Sequence, residues 1–415
     1  MKVTYVSQRT RPEKLTGSEI YMHALAQAAA SRYDVEVLAT YRRPKGVEAP
    51  KEIQDSSLRI MRFPERRLPE LVRVPVARLM SRSEQFVSAY EVVCDVTGGF
   101  AHALQWGFWS PSLFQFLLDD DSDMIHAITL PTGTFWAACK AAASRRVPLV
   151  LTPFRHLGLR QHSMRYQRSM FQRAQAIIAV TPPEAQSFVD WGVPSEKVHC
   201  IPLGIDVGYF SSGDRSGFRL KVQATDEDFV ILIPRKSREK GAIDSLDAIR
   251  RLAKAHRNLV VVLLGDADPD VADLINDRIG RLRREGVRVV DLGHIPDTNP
   301  LLRDAYAGSD LLLEPSRLEA FGLVYLEAWA TGAPVVAARL KAVSNIVSDG
   351  QDGLLVTFGA IEEIEKAVDS IVSDAKFARS LGTAGRQKVT RLYDRASMWE
   401  STNKVYEAVL SGDHS

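Results

Sequence analysis

The sequence contains little cysteine and almost no excess of one charge. Its three cysteines, Cys94, Cys139 and Cys200, lie far apart and form no CxxC pair. This spacing argues against a structural zinc site and is typical of reduced thiols in the cytoplasm. The 53 basic and 51 acidic side chains leave a net charge of only +2. Because a nucleic-acid partner needs a strongly basic face, none is predicted.

Long hydrophobic runs are also missing. The most apolar run, Leu259–Leu264, is far too short to cross a bilayer. The first residues lead into the apolar stretch Val3–Val6 without the basic-then-apolar pattern of a signal peptide. We therefore expect a cytoplasmic protein, and peripheral contact with the inner face of the membrane stays open as an alternative.

Two cofactor motifs are absent as well. No G-x-G-x-x-G follows the first apolar strand, which argues against a nicotinamide enzyme. No DxD motif follows a strand in a suitable loop. The nearest acidic run, Asp119–Asp121, precedes the strand Met124–His126 and is typical of a polar helix end. We therefore predict neither a metal site nor a bound cofactor.

Short apolar runs alternate with amphipathic helices along most of the chain. This alternation predicts a doubly wound α/β architecture with parallel strands covered on both faces. The predicted strands are Lys2–Ser7, Val35–Ala39, Met124–His126, Pro148–Thr152, Ala176–Val180, Val198–Ile201, Val230–Ile233, Leu259–Leu264, Val287–Val290, Asp310–Leu313 and Pro334–Ala337.

A length of 415 residues suits two or three domains. The loop-like segment Gly204–Gly217 contains Ser211, Ser212 and Gly213 and precedes a fresh strand, so we place the boundary there. The prediction is an N-terminal domain over 1–205, a C-terminal domain over 206–395, and a last helix over 396–415 that packs at the domain interface. Ligands of parallel sheets bind beyond the carboxyl ends of the strands, so functional residues should follow strands.

A pair of acids follows the predicted strand Asp310–Leu313. Glu319 and Glu327 are eight positions apart, which at ~1.5 Å per helical residue is roughly 12 Å along an axis. Acids that share one bond-breaking event lie closer together, at about 5–9.5 Å. Between them, Phe321-Gly322-Leu323 begins a helix, whose free amides and dipole suit a phosphate. The pattern predicts contacts with two ends of one long ligand, and an exposed acid beside a salt-bridged one is the alternative.

A basic loop follows the strand Val230–Ile233. It contains Arg235 and Lys240, which a strand would deliver to the same edge of the sheet. Positive groups fixed in a dry site stabilise the charge that develops when a diphosphate leaves. A solvated basic loop is the alternative interpretation.

The segment Pro315–Ala328, together with Thr331–Val336, closely resembles family 4 of the retaining glycosyltransferases, which have the GT-B fold. The resemblance implies two Rossmann-like domains that face each other across a cleft. It also implies that Glu319 contacts the donor sugar, that Glu327 binds the ribose, and that the backbone of Phe321-Gly322-Leu323 meets the phosphates.

The basic loop matches the family at the same positions. The family pattern is Gly-Arg, four residues, then Lys-Gly, and Arg235 and Lys240 have that spacing. Pro234 stands where the family usually has glycine. The resemblance implies that Arg235 and Lys240 bind the diphosphate.

The loop Leu292–Pro296 resembles the family segment whose backbone reads the nucleobase. This match implies base contacts by His294 and Ile295. Gly265-Asp266 resembles a Gly-Asp turn of the family, and we interpret Asp266 as structural.

The stretch Thr16–Glu19 precedes the first predicted helix. The family usually has two glycines there, and this chain has Gly17 followed by Ser18. The match implies that both approach the donor diphosphate, since glycine and a helix amino end favour an anion. Helix capping is the alternative.

A histidine of the family often stands just past the strand that corresponds to Pro148–Thr152. His156 is the nearest match, with a role close to the donor sugar, and His126 at the end of Met124–His126 competes with it. A structural role is the alternative for both histidines.

These residues together predict a retaining, metal-independent transferase of a hexose-type sugar from a UDP- or GDP-sugar. Two alternatives are an epimerase of the same fold that converts the donor without an acceptor, and a degenerate protein that only binds. The sugar, the base, the acceptor and the oligomeric state stay open, and the acceptor is a small molecule, a glycan or a lipid-linked hydroxyl.

Two further stretches bear on the acceptor. The segment Arg59–Arg82 mixes arginine with apolar residues, so it could lie on anionic lipid, bind an acidic acceptor, or form a solvated helix face. The aromatic side chains between 106 and 114 either line an acceptor pocket or form ordinary core; they are Trp106, Phe108, Trp109 and Phe114.

Overall fold

The computed structural model describes residues 1–10, 16–41, 52–55, 58–66, 75–76, 79–80, 83–319 and 321–412. The chain forms two compact units. One contains Met1–Pro202 and Met398–Ser415, and the other contains Leu203–Ser397. The last helix therefore returns the chain to the first unit.

The first unit is built on one sheet, in which eight strands are described. They are β1 (Lys2–Val6), β2 (Asp34–Tyr41), β3 (Glu52–Asp55), β4 (Leu58–Pro64), β5 (Met124–Ile128), β6 (Leu149–Thr152), β7 (Ala176–Ala179) and β8 (Val198–Cys200). Their order is β3-β4-β2-β1-β5-β6-β7-β8, and every pair is parallel except β3 with β4. The chain order reverses between β1 and β5.

Seven described α-helices accompany this sheet before the second unit begins. They are α1 (Gly17–Ala29), α2 (Glu84–Val96), α3 (Phe100–Trp106), α4 (Pro111–Asp119), α5 (Gly133–Arg145), α6 (Arg165–Arg173) and α7 (Pro182–Val189). Half of the buried residues of α5 are alanines, including Ala137, Ala138 and Ala141. Small side chains let this helix pack closely against the strands.

The second unit has an all-parallel sheet in the order β11-β10-β9-β12-β13-β14 among its described residues. Its strands are β9 (Phe229–Ile233), β10 (Leu259–Leu263), β11 (Arg288–Asp291), β12 (Leu311–Glu314), β13 (Val335–Ala338) and β14 (Leu354–Val356). Its helices are α8 (Val207–Ser211), α9 (Arg215–Lys221), α10 (Ala242–Leu252), α11 (Ala272–Arg284), α12 (Pro300–Gly308), α13 (Leu323–Thr331), α14 (Ile361–Ser373) and α15 (Ala375–Leu392).

The core of the second unit shows why the strands read as continuous apolar runs. Val261 and Leu263 on β10 are fully buried and pack with Leu246 of α10 and Ile275 of α11. Burying a side chain of this size stabilises the fold by about 1.5–3 kcal/mol. The prediction of doubly wound α/β sheets is confirmed.

The C-terminal helix α16 (Arg395–Ser411) is held in the first unit by a buried polar cluster. The Tyr406 hydroxyl lies 2.9 Å from the Tyr5 hydroxyl and 2.6 Å from Nδ1 of His126. Because these groups are buried, each bond replaces hydration that was lost on folding.

The interpretation of Arg59–Arg82 as one helix face is wrong in its first part. Leu58–Pro64 is strand β4, which pairs with both β2 and β3. Arg62 is buried, and its guanidinium lies over the Tyr41 ring. The alternation of side chains along a strand, rather than a helical stripe, explains the mixture of arginine and apolar residues there. Four of its arginines lie outside the described residues, namely Arg67, Arg73, Arg78 and Arg82.

Within the described ranges, no helix combines the length and the apolar character that a membrane span requires. The acidic run Asp119–Asp121 leads toward the amino end of the sheet. There the Lys2 ammonium lies 2.7 Å from Asp120 and 2.6 Å from Asp121. These two acids are thus partners of a lysine in the ion-pair cluster that begins β1.

Candidate active site

The candidate site lies where the second sheet reverses its order. The chain runs outward through β9, β10 and β11 and then crosses to β12, on the other side of β9. The chain therefore leaves β9 and β12 in opposite directions along the sheet, and the loops after these neighbouring strands lie side by side at its carboxyl edge. Such a switch point is where doubly wound sheets open a crevice for ligands.

Gly241 allows these two loops to approach each other. It is the N-cap of α10 with a φ of +74°, and a Cβ there would lie 2.5 Å from the carbonyl oxygen of Pro315. The Arg317 amide also donates to the Glu239 carbonyl at 2.7 Å. Any larger residue at 241 would push the loops apart, so the Lys-Gly pair of the motif has a steric reason.

Lys240 is held between two carboxylates. Its ammonium contacts the Glu319 carboxylate directly and lies 3.7 Å from Oε1 of Glu314. The lysine side chain is 19% exposed and that of Glu319 is 14% exposed. Burial alone would lower the pKa of Lys240, but the negative charges of Glu319 and Glu314 outweigh it and raise the pKa. The lysine is therefore charged in this site.

Glu314 is a site residue that the sequence interpretation missed. As the last residue of β12 it is 1% exposed, and its Oε1 accepts a bond from the Ser316 hydroxyl at 3.3 Å. Burial, reinforced by the charge of Glu319, raises the pKa of Glu314 to about 7, although Lys240 and Arg235 pull it down. A glutamate that ends an otherwise apolar strand, next to a functional loop, is the signal that could have identified it.

Glu327 and Arg235 complete the charged cluster. Glu327 lies on α13, where burial raises its pKa while a bond from the Tyr306 hydroxyl and the charge of Arg235 oppose the rise. Arg235 itself is exposed at the end of β9. The structure thus brings together four residues predicted from sequence, Arg235, Lys240, Glu319 and Glu327.

The spacing argument for the two glutamates needs a correction. Helix α13 begins at Leu323, so Glu319 lies in the preceding loop and only Glu327 lies on the helix. A helical rise per residue therefore does not measure the separation of their carboxylates. The loop instead turns Glu319 toward Lys240.

The amino end of α13 depends on Gly322. This residue has a φ of +100°, and a Cβ there would lie 2.4 Å from the buried Tyr325 ring. Phe321 is 2% exposed and packs on the Tyr393 ring, whereas Leu323 is half-buried. With Phe321 fixed in this way, the first turn of α13 presents backbone amides beside Glu319, a suitable arrangement for an anion.

The predicted base loop follows β11. His294 is exposed and Ile295 is 9% exposed. Gly293 has a φ of +64°, and its carbonyl accepts a bond from the Gly265 amide at 2.7 Å. The loop is thus tied to the end of the neighbouring strand β10.

Gly17 and Ser18 belong to the first unit. They occupy the first turn of α1, and the N-cap is Thr16 rather than Ser18. Glu19 completes a capping box, because its carboxylate accepts the Thr16 amide at 2.6 Å. Contacts of Gly17 and Ser18 with a diphosphate remain predictions.

The two candidate histidines differ in burial and in their hydrogen-bond partners. His126 lies inside β5, which continues to Ile128, and its ring nitrogens lie 2.6 Å from the Tyr406 hydroxyl and 2.8 Å from the Thr152 hydroxyl. Burial lowers the pKa of His126 to about 3, so it is a neutral core residue. His156 instead is half-buried beyond β6, with its backbone amide donating to Nδ1 of His162 at 3.0 Å.

The aromatic side chains between residues 106 and 114 divide in the same way. Trp109 is 8% exposed in the core cluster of the first unit, and Phe114 packs against it. These two side chains are ordinary core. Phe108 has a φ of +58° and carries the Arg9 guanidinium over its ring, and Trp106 is half-buried.

Two family models match this chain and together span most of it. The model of a glycosyl transferase 4-like domain matches residues 16–204, and that of glycosyl transferases group 1 matches residues 217–388. The second match contains the charged cluster described above. This chain belongs to family 4 of the glycosyltransferases.

Two curated relatives of this glycosyltransferase carry different names. The D-inositol 3-phosphate glycosyltransferase 1 of Catenulispora acidiphila is 32% identical over 57% of this chain and 60% of the relative. The alpha-maltose-1-phosphate synthase of Mycolicibacterium smegmatis is 26% identical over 69% of this chain and 79% of the relative. The chain thus matches about three fifths of the length of the first relative.

A solved structure shares the fold over nearly the whole chain. The HepE protein of Anabaena, crystallised with UDP and glucose, has a TM-score of 0.70 at 20% identity and covers 98% of this chain and 100% of its own. At this identity the likeness shows the fold alone. The prediction of the GT-B fold is confirmed by this likeness and by the two parallel sheets.

Proposed function

We propose that this glycosyltransferase moves a hexose-type sugar from a UDP- or GDP-sugar to an acceptor hydroxyl, with retention and without a metal ion. The observation that carries the proposal is the contact of Lys240 with Glu319 at the switch point of the second sheet. A cation for a diphosphate and a carboxylate for sugar hydroxyls lie side by side there. Glu327 and Arg235 supply the groups for the rest of the donor.

Donor binding in this proposal exchanges partners within the site. The diphosphate takes the Lys240 ammonium from Glu319, and the freed carboxylate accepts hydrogen bonds from the sugar. The first-turn amides of α13 receive a phosphate, Glu327 receives the ribose, and the loop with His294 and Ile295 receives the base. UDP is the first nucleotide to test, because the HepE protein was crystallised with it.

Transfer then breaks the bond from the sugar C1 to the diphosphate oxygen and forms a bond from C1 to the acceptor oxygen. Arg235 and Lys240 stabilise the negative charge that develops on the departing diphosphate. The acceptor attacks from the same face, and its proton passes to the departing phosphate oxygen. The resemblance to the family assigns His156 a role at the donor sugar, and it assigns Gly17 and Ser18 a role at the diphosphate.

The names of the relatives suggest the acceptor class. One is named for D-inositol 3-phosphate and another for maltose 1-phosphate. We propose a phosphorylated polyol or sugar as the acceptor to test first.

The donor is identified by thermal unfolding with UDP, GDP, ADP and their common sugar conjugates. A ligand at ~100 times its dissociation constant adds about 2.7 kcal/mol to the free energy of unfolding, which moves the midpoint by several degrees. We expect a shift with one base only, and its loss in Glu327→Ala. No shift with any nucleotide would favour a degenerate protein, or a donor site that forms only once the acceptor is bound. Inversion of the anomeric centre in the product NMR spectrum would reject the retaining mechanism.

A further inference from the structure

The loop after β9 carries two lysines, the half-buried Lys240 and the buried Lys236. Lys236 follows the exposed Arg235, and its side chain is 8% exposed. Its ammonium lies 2.7 Å from each carboxylate oxygen of Asp291, the last residue of β11. The pair therefore reaches from β9 across the end of β10 to β11.

Asp291 connects this lysine to the predicted base loop. Its Oδ1 also accepts the Gly293 amide at 3.0 Å. The Gly293 carbonyl in turn accepts the Gly265 amide, and the Lys236 carbonyl accepts the Asp268 amide at 3.1 Å. The Asp291 carboxylate thus joins the loops after β9 and β11, and two backbone bonds attach the loop after β10 to both of them.

The physical chemistry of this arrangement favours a positioning role. The Lys236 side chain is 8% exposed and that of Asp291 is 29% exposed, so it is mainly the ammonium that has been taken out of water. Burying this charge is unfavourable unless a well-placed partner and further bonds compensate. Asp291 meets this condition with two bonds from Lys236 and one from Gly293. The geometry holds Gly293 at its positive φ, and the residues that follow it, His294 and Ile295, are those assigned to the base.

We propose that Lys236 and Asp291 form a positioning pair that fixes the Gly293–Ile295 backbone relative to the phosphate-binding loop. The pair thereby sets the affinity for the nucleoside half of the donor and the choice among bases. Neither side chain is assigned a contact with the reacting atoms. This inference rests on the proposed function, because it requires that the site bind a nucleoside diphosphate.

The test measures binding of nucleotides and of inorganic pyrophosphate to Asp291→Asn. We expect the affinity for the nucleotide that the wild type binds to fall about tenfold, or ~1.4 kcal/mol. Discrimination among UDP, GDP and ADP should narrow, while the affinity for pyrophosphate, which lacks a base, stays within about twofold of the wild type. Lys236→Met should reproduce both effects, and the double variant should be no worse than either single one.

A matched control removes another lysine–aspartate pair of the same unit. The Lys388 ammonium lies 2.8 Å from Asp352, with side chains 18% and 7% exposed, and Asp352 precedes β14 at the opposite edge of the sheet. Asp352→Asn should lower the unfolding temperature without changing nucleotide affinity.

Each remaining outcome is decisive. Equal loss of pyrophosphate and nucleotide binding in Asp291→Asn would overturn the positioning role, and so would unchanged nucleotide binding. In both cases the wild type still binds nucleotide and the proposed function stands. A wild type that binds none of the three nucleotides would overturn the proposed function and this inference with it.

Discussion

The carboxyl edges of the two sheets differ in what they bring into contact. In the second unit, Lys240 touches Glu319 and lies near Glu314, so charged groups from two loops gather at the switch point. In the first unit, His126 lies inside β5, one of the two strands at the switch point, and it is neutral and bonded to hydroxyls in the core. The difference teaches that similar α/β sheets need not place similar chemistry at similar positions.

This comparison predicts that substitution of Lys240 has the largest effect on turnover. Lys240→Met should reduce kcat by about 100-fold or more, because in the proposed mechanism it removes a fixed charge that stabilises the leaving group. Turnover is measured alongside thermal unfolding, which should show a folded protein. The matched control is Lys254→Met. Lys254 is exposed in the turn that follows α10, so this variant should retain normal turnover. A Lys240 variant with turnover close to the wild type would remove this residue from the mechanism.

The two candidate histidines of the first unit, His126 and His156, should respond differently to the same substitution. His126→Phe keeps a ring but leaves the hydroxyls of Tyr406 and Thr152 without this partner. We expect unfolding to become easier by about 2–4 kcal/mol, from two buried polar groups that lose a bond. Turnover per folded molecule, measured well below the unfolding midpoint, should not change.

His156→Phe is the counterpart of that variant. It should lower turnover and leave the unfolding midpoint nearly unchanged, since this ring is half-buried beyond β6. Loss of turnover in fully folded His126→Phe, with normal turnover in His156→Phe, would instead make His126 the functional histidine and His156 the structural one.

Substitution of Glu314 should have the smallest effect, which is a change in how the free energy of unfolding depends on pH. Its folded-state pKa of about 7 lies above its ordinary value, so the folded form binds more protons than the unfolded one. This contribution to stability is complete below pH ~4.5 and is lost as pH rises through about 7. The Glu314→Gln variant is neutral at this position at every pH. Its free energy of unfolding should therefore rise relative to that of the wild type by on the order of 1–3 kcal/mol between pH 5 and pH 8.

The unfolding midpoints of both proteins across that range provide the measurement. Glu362→Gln, at an exposed residue of α14, controls for the loss of one negative charge. A constant difference between wild type and Glu314→Gln would show that Glu314 does not titrate in this range.

Much of the candidate site could be predicted because its chemistry is local. The positions of Arg235 and Lys240 after one strand, and of Glu319 and Glu327 around a helix start, follow from patterns within about ten residues. The strands β9, β10 and β12 were predicted to within a residue or two because both of their faces are buried and their apolar runs are continuous. Strand β4 was missed because arginines interrupt its pattern.

Other parts could not be predicted from neighbouring residues. Lys236 and Asp291 are 55 positions apart, and nothing in either segment reveals that they meet. The same holds for His126 and Tyr406, which join β5 to a helix 280 positions later. Such pairs depend on strand order and on the path of the chain between strands.

The sequence by itself determined the α/β class, the boundaries of most buried strands and four charged residues of the candidate site. Those features depend on side-chain periodicity and on turns that a few consecutive residues specify. Only the tertiary structure decided that Lys240 lies between Glu314 and Glu319, that His126 is buried, and that Lys236 pairs with Asp291. Burial and charge pairing are properties of the packed sheet edge, because they depend on groups that the fold brings together from distant parts of the chain.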